Sequence, residues 1–463
     1  MRKPILIGGL GLSILLGLGS SISGLAAEWS QDALMLLMLL GGGFWWLKAK
    51  PRPNTPIAPP PDRISPEAVQ LALNQAEQTL NCLAAETTDA IDPAEALRTQ
   101  LDQLQQVEPS APLSGAIIGS PRAGKTSLYQ QLASLKAALP IAWQDSPPES
   151  TFSATDLLLY LVTGDLTDSE LKQLQTLRQA AHPVCLLLSK QDQQPQTASQ
   201  TLVNLVQQRV EGLISAENVI RIAAAPQAIA LRQHQADGTV METTTTPEPQ
   251  LEALSDRLQT LTSADAQTHL RRATQWRQLR QLTQQMHHEL NQLRRDRALP
   301  LVERYQWLAA GAAIANPVAA LDLLAAIAIN TQMIIDLGGV YRCTITLDQA
   351  QTVTRELGEL LLKLGAVEFS TQTLGHLAKS SPVTYLAGGA IQGVSAAYLT
   401  RIVGLSLIDY FAEQDPLADA PAALNLQRLG AIVQQWLTQT QRLDLLKSLA
   451  KQLPQRGLVK AEG

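Results

Sequence analysis

The residues with the clearest chemistry lie between Gly119 and Thr126. The run Gly119-Ser120-Pro121-Arg122-Ala123-Gly124-Lys125-Thr126 satisfies the spacing G-x-x-x-x-G-K-[ST]. A loop of this kind turns its backbone N–H groups inward on phosphate oxygens, and a helix starting at its end adds the positive end of its dipole. Gly124 lets the backbone approach closely. Lys125 is placed to reach the β- and γ-phosphates, and the Thr126 hydroxyl to ligate Mg²⁺. Gly119, Arg122, Ala123 and Ser127 complete the expected phosphate-binding set. Two later groups extend the site: Asp145, a carboxylate that can serve the Mg²⁺ shell through a water, and Ser189-Lys190-Gln191-Asp192 at the end of an apolar run.

Those groups need elements to position them. "GAII" before the loop reads as a short buried strand, and Leu128, Leu132 and Leu135 after it recur at helical spacing. Strand, glycine loop, helix is the context the motif requires. "DLLLYLV" is a second buried strand, "TDSELKQLQTLRQA" a helix with Thr167 as its cap, and "PVCLLLSKQD" a further buried strand. A helix over about 198–210 and a strand "NVIRIAAAP" follow. Alternating strand and helix predicts an α/β fold, a parallel sheet with helices on both faces and ligand loops at the carboxyl ends of its strands.

The order of the glycine loop, "DLLLYLVTGDLTDSEL" and "PVCLLLSKQD" resembles Era/TrmE-type small GTPases, a P-loop NTPase family. The resemblance implies GTP/GDP as ligand with Mg²⁺. It places Asp192 as acceptor for the guanine N1–H and exocyclic amine, with Lys190 along the base. Ser189 replaces the usual first residue of the guanine motif. "AAAP" (Ala223 to Pro226) sits where the family has its weaker base loop, so a backbone N–H at Ala224 is placed to meet the guanine carbonyl.

The pattern departs from that family where hydrolysis would be organised. The best match to the D-x-x-G switch is Asp145-Ser146-Pro147-Pro148, and Pro148 stands at the glycine's position. Proline has no N–H, so the backbone bond that orders the switch on the γ-phosphate cannot form. Only about twenty residues separate Lys125 from Asp145, which leaves no room for the usual first switch. No glutamine is placed to orient an attacking water. The expectation is a nucleotide grip with slow or absent intrinsic hydrolysis, and no catalytic residue is assigned.

The rest of the chain carries organisation more than chemistry. Hydrophobic residues make up 45% and charged residues 17% of the 463 residues, a low charge content that predicts bilayer segments, an Ala/Leu-rich core, or both. The net charge of −5 and pI of about 5.8 provide no basic field, so no nucleic acid is expected. Two apolar runs, 5–27 and 33–47, flanked by Arg2, Lys3, Lys48, Lys50 and Arg52, read as a transmembrane hairpin over 1–50 with both ends on the cytoplasmic side. A cleaved signal peptide stands as the other reading of the first run. A Pro-rich linker occupies 51–65, a helical segment 66–108, and the nucleotide domain 109–264, with a hairpin around Asp237-Gly238.

A polar connecting helix spans 265–298. Its arginines (Arg271, Arg272, Arg277, Arg280, Arg294, Arg295, Arg297) are expected on a solvated face. Residues 299–415 are rich in small and apolar residues and resemble the helical domain of unknown function of YcjF-type proteins. This rests on "NPVAALDLLAAIAINTQMIIDLGGVY" and "YLTRIVGLSLIDYF". Asp322, Asn330, Asp336, Arg401 and Asp409 interrupt the apolar faces, which favours a compact bundle touching membrane or partner over spanning helices. Amphipathic helices close the chain over 416–463, with Trp436 expected in a core. Cys82, Cys185 and Cys343 have no metal-ligand or disulfide spacing. No H-E-x-x-H, G-x-S-x-G or paired cysteine supports other catalysis, and adjacent His287 and His288 make a poor chelate.

Two functions fit these features. One is a membrane-anchored GTP-binding protein whose nucleotide state governs contacts of the helical domain with the membrane or with protein partners. The other is an inactive pseudo-GTPase scaffold that organises membrane proteins. Membrane remodelling of the dynamin type would need self-assembly, for which no stalk is visible.

Overall fold

Why residues 113–188 form a buried sheet is plain from their composition. The computed structural model describes residues 63–87, 93–106, 112–134, 140–193, 195–234, 240–315, 319–366, 370–374, 388–414, 424–438 and 442–455. Strands β1 (Leu113–Gly119), β2 (Ile141–Asp145), β3 (Leu157–Val162), β4 (Val184–Leu188) and β5 (Val219–Arg221) make one parallel sheet in the order β2-β1-β3-β4-β5. Every residue of β3 and β4 is buried, as strands covered on both faces must be. Leu157, Leu159, Leu161, Cys185 and Leu187 point to one face, and Leu158, Tyr160, Leu186 and Leu188 to the other.

Helices cover both faces. The first face takes α3 (Lys125–Ser134), through Leu128 and Leu132, and α6 (Glu252–Leu261), through Leu254 and Leu258. The second takes α4 (Asp168–Gln179) and α5 (Gln196–Arg209), through Leu174, Leu177, Val203 and Val206. A complete capping box, Thr167 with Glu170, starts α4. Between β5 and α6, β6 (Ile229–His234) and β7 (Val240–Thr245) pair antiparallel; Asp237 and Gly238 lie outside the described residues.

Among the described residues two helices precede the sheet. Helix α1 (Pro66–Glu86) is capped by Ser65, and α2 is Pro93–Gln105. Both bury apolar residues, among them Leu80, Leu83, Leu97 and Leu101, against Leu279, Leu282, Met286 and Leu290. Those partners belong to α7 (Ala264–Ala315), a single helix of 52 residues, about 78 Å long at 1.5 Å per residue. It runs through the composition change at Leu299. Pro300 lies inside it and removes one ladder hydrogen bond. The helix continues because Ala298 and Val302 on either side are packed into the helical core.

The arginines of α7 divide. Arg277 and Arg294 are buried, not solvated. Arg277 donates to Ala181 O at 2.8 Å, Thr155 O at 2.5 Å and Thr274 Oγ1 at 2.9 Å. Arg294 pairs with buried Glu86 at 2.8 Å, and Arg297 and Arg342 reach the same carboxylate at 3.3 and 3.0 Å. Sequence spacing shows charge, but it cannot show that carbonyls and a carboxylate from distant segments wait for these two.

Beyond Pro300, α7 joins α8 (Ala319–Val340), α9 (Leu347–Lys363), α10 (Gly388–Ala412), α11 (Leu426–Thr438) and α12 (Arg442–Gln455) around one core. Among the described residues one helix, Ala390–Ala412, is long and apolar enough to cross a membrane, and 72% of that window is buried inside the protein. It packs as a bundle's central helix. Two of its charged residues have partners: Arg401 donates to Gln306 Oε1 at 3.0 Å, and Asp409 accepts from Arg295 at 3.0 Å and from Trp436 Nε1 at 2.7 Å, while the buried Ser395 and Ser406 hydroxyls have none among the described residues. Asp336 accepts from the Tyr305 hydroxyl. The expected transmembrane hairpin (1–50) lies outside the described residues, as does nearly all of the linker (51–65).

Candidate phosphate and nucleotide site

β1 ends where its last residue must be glycine. Gly119 has φ +133°, and a Cβ there would stand 2.1 Å from Leu161 O of the neighbouring strand. The chain then turns through Arg122 (φ 63°) and Gly124 (φ +92°) and enters α3 at Lys125. The loop thus has the strand-to-helix geometry that presents N–H groups to an anion. Ala123 is buried beneath it, and Thr126 and Ser127 lie in the first turn of α3.

Lys125 folds back over the loop. Its ammonium donates to Gly119 O and Ser120 O, both at 2.9 Å. An ammonium has three donors, so one stays available to a phosphate oxygen. Thr126 Oγ1 donates to Asp145 Oδ2 at 3.0 Å, which brings the two candidate metal groups together from α3 and the end of β2. A hydroxyl and a carboxylate are oxygen ligands of the kind Mg²⁺ takes, so the donor set fits the ion. Asp145 Oδ1 accepts from Ser146 Oγ at 2.9 Å, and Ser146 adopts φ 48°. Pro148 is exposed at the start of a short 3₁₀ turn, Glu149–Ala154.

The second loop of the site leaves β4. Ser189 is buried and points inward: its hydroxyl contacts Ala123 O at 2.7 Å and Val162 O at 3.2 Å. Its role is to tie this loop to the phosphate loop. Lys190, at φ 57°, is exposed. Asp192 Oδ2 accepts the Gln227 backbone N–H at 3.0 Å, which draws the segment after β5 against it. Ala224 is buried there, next to Ala223, which bridges to Gln250. The structure therefore gathers the phosphate loop, Asp145, Ser189-Asp192 and Ala224 at the carboxyl end of one sheet.

Sequence reasoning missed four residues here. The Ser120 hydroxyl donates to Glu170. Burial would raise the Glu170 carboxyl, but hydrogen bonds from Ser120 and from the Thr167 N–H and hydroxyl outweigh it and hold it below its usual range. The capping spacing Thr167-x-x-Glu170 was visible, but not that one carboxylate serves both cap and loop. Buried Gln191 donates to Ser189 O at 2.9 Å and accepts from Ser199 at 2.7 Å, stiffening the turn.

A cavity of about 400 Å³ opens beside the phosphate loop, lined by Pro121, Arg122, Thr163, Lys190 and Gln193. A second of about 400 Å³ lies at the amino ends of the strands, beside His182 and His269. Size does not distinguish them; the glycine loop does. Among the described residues no cluster of three or more His, Cys, Asp or Glu could hold a metal ion.

Residues 277–442 match the family described as Domain of unknown function (DUF697). No curated protein matches the chain. The match begins within α7 and ends at the start of α12, so the helical C-terminal region carries this domain while the sheet lies before it.

Proposed function

We propose that this chain is a GTP-binding protein anchored to a membrane by residues 1–50, with slow or absent intrinsic hydrolysis, whose nucleotide state governs contacts of its helical region with the membrane or with protein partners. The observation that carries the reading is the Gly119–Thr126 loop between β1 and α3, with Thr126 hydrogen-bonded to Asp145 at 3.0 Å. Backbone N–H groups of the loop hold the phosphates, and Lys125 adds its remaining donor. Thr126 and Asp145 would hold Mg²⁺, which when bound neutralises charge on the β- and γ-phosphates. Asp192, drawn against the segment after β5 by Gln227, is the group for guanine, with Lys190 along the base and Ala224 at the guanine carbonyl.

Binding of GTP, GDP and ATP to the full chain in detergent, read by calorimetry, tests this. Micromolar or tighter GTP and GDP binding that Lys125→Ala weakens by at least about tenfold, the lower end for a charged hydrogen bond, is expected. Failure to bind any of the three nucleotides would overturn the reading, and a preference for ATP would remove the role of Asp192.

A second reading, a pseudo-GTPase scaffold that organises membrane proteins, is favoured by Pro148, which has no N–H to order a switch. Phosphate release measured with candidate partners separates the two. Stimulated turnover argues against the scaffold.

A further inference from the structure

The geometry points to Arg122 as a catalytic group of the phosphate site: a cis arginine that neutralises the charge growing on a transferring phosphoryl group. The inference rests on the nucleotide reading above and deepens it. Arg122 lies within the phosphate loop at φ 63°, a left-handed conformation that costs a non-glycine residue about 1–2 kcal/mol. Glycine or asparagine would sit there at lower cost, so an arginine at this position needs a use for its side chain.

The fold does not supply that use. Arg122 is exposed, and among the described residues no carboxylate forms an ion pair with it. The cavity it lines holds Pro121, Thr163, Lys190 and Gln193, with no acid. Buried arginines elsewhere in the chain are tied to carbonyls or to Glu86; this one is exposed and lines the cavity beside the loop.

Beyond the Mg²⁺ that Thr126 and Asp145 would hold, the site has little charge stabilisation from other sources. Lys125 spends two of its three donors on Gly119 O and Ser120 O. Pro148 offers no N–H. Hydrolysis needs a group to meet the charge that develops as the γ-phosphoryl leaves. A guanidinium is always charged and presents its donors in a planar fork, and Arg122 is the second cation of the loop.

In the step it serves, a water oxygen forms a bond to the γ-phosphorus of GTP. The bond from that phosphorus to the β–γ bridging oxygen breaks, its electron pair remaining on the GDP β-phosphate. The proton of the water passes to the released phosphate. Arg122 donates hydrogen bonds to the bridging and γ oxygens as their charge grows, and it transfers no proton.

The test uses the full chain with fluorescent GDP, with and without aluminium fluoride, which mimics the transferring phosphoryl group. The wild-type chain is expected to retain GDP in a fluoride-dependent complex. Arg122→Ala should lower fluoride-dependent retention, taken relative to the variant's own GDP affinity, by about 10³-fold, the low end for an arginine of this kind. Arg122→Lys, which keeps charge without the fork, should restore little of it. Normal GDP binding without trapping by the wild type, or equal trapping by Arg122→Ala, overturns this inference alone. No GDP binding by the wild type overturns it together with the nucleotide reading.

Discussion

His182 stands in the turn before β4, edge-on to Phe152 with ring centroids 6.5 Å apart. Its buried Nδ1 has no hydrogen-bond partner. Burial, helped by the Arg277 guanidinium, lowers its pKa from 6.5 to about 3. Below pH 6.5 the unfolded chain takes up a proton that the folded chain refuses until about pH 3. Stability present above pH 6.5 is therefore lost as the pH falls through that window. At about 1.4 kcal/mol per pH unit, this residue alone removes about 2–3 kcal/mol between pH 6.5 and 4.5. Urea midpoints at the two pH values should show that loss in the wild type, and His182→Gln should lack it. Nothing in the sequence around His182 predicts its state, because Arg277 comes from 95 positions later. The phosphate loop is the opposite case. Gly119, Gly124, Lys125 and Thr126 are legible because one strand, one turn and one helix, all local, fix the positions of the loop. Ser189 was legible as the end of an apolar strand but not as an inward-pointing brace, since its acceptors are Ala123 O and Val162 O on other elements.

Helix α1 is joined to α7 by a carboxylate that is almost wholly out of water. Glu86 faces Arg294, Arg297 and Arg342. Glu86→Ala leaves the Arg294 charge buried and unpaired, and should cost about 3–5 kcal/mol in denaturant unfolding. The double change Glu86→Met with Arg294→Met should recover most of that, because an apolar pair of similar volume removes both desolvation penalties. Equal losses in single and double variants would show that packing at these positions, rather than the charge, holds α1. Glycines on the bundle helices separate packing from propensity in the same way. A Cβ at Gly404 of α10 would lie 2.6 Å from Val302 Cγ1 of α7, whereas nothing stands within 4 Å at Gly358 of α9. Gly404→Ala should therefore destabilise by about 1–3 kcal/mol through overpacking, and Gly358→Ala should stabilise by about 0.5–1 kcal/mol through helix propensity. Thermal midpoints moving in opposite directions would bear this out; a gain at Gly404 would not. The small, apolar composition of the region was readable, but which glycine is crossed by a neighbour depends on the pairing of α7 with α10.

The sheet and the long helix are held together by Asp156 at the start of β3. Its Oδ2 accepts the Ser114 N–H at 2.8 Å, and its Oδ1 accepts from Thr274 Oγ1 of α7 at 2.6 Å. Arg277 completes the contact by holding Thr155 O and Thr274. Asp156→Ala should uncouple the two regions, so that the sheet unfolds before the helical core and one calorimetric transition becomes two. A single transition at the wild-type midpoint would show that Arg277 and the apolar contacts of Leu270 and Ala273 carry the joint without Asp156. This lock joins the sheet to the long helix of the helical region.

Composition and local spacing determined the strand–glycine loop–helix at Gly119–Thr126, the alternation that makes a parallel sheet, the capped start of α4 and the helical character of the described residues between 299 and 414, because each follows from residues a few positions apart. The long-range decisions were out of its reach. That Arg277 and Arg294 are buried, that α7 runs unbroken through Pro300, that Glu170 holds Ser120 and that α10 lies in a core all depend on contacts between segments 50 to more than 200 residues apart. Such contacts form only when the chain has folded, and it is their burial that fixes which charges are paired and which, like Arg122, are left exposed.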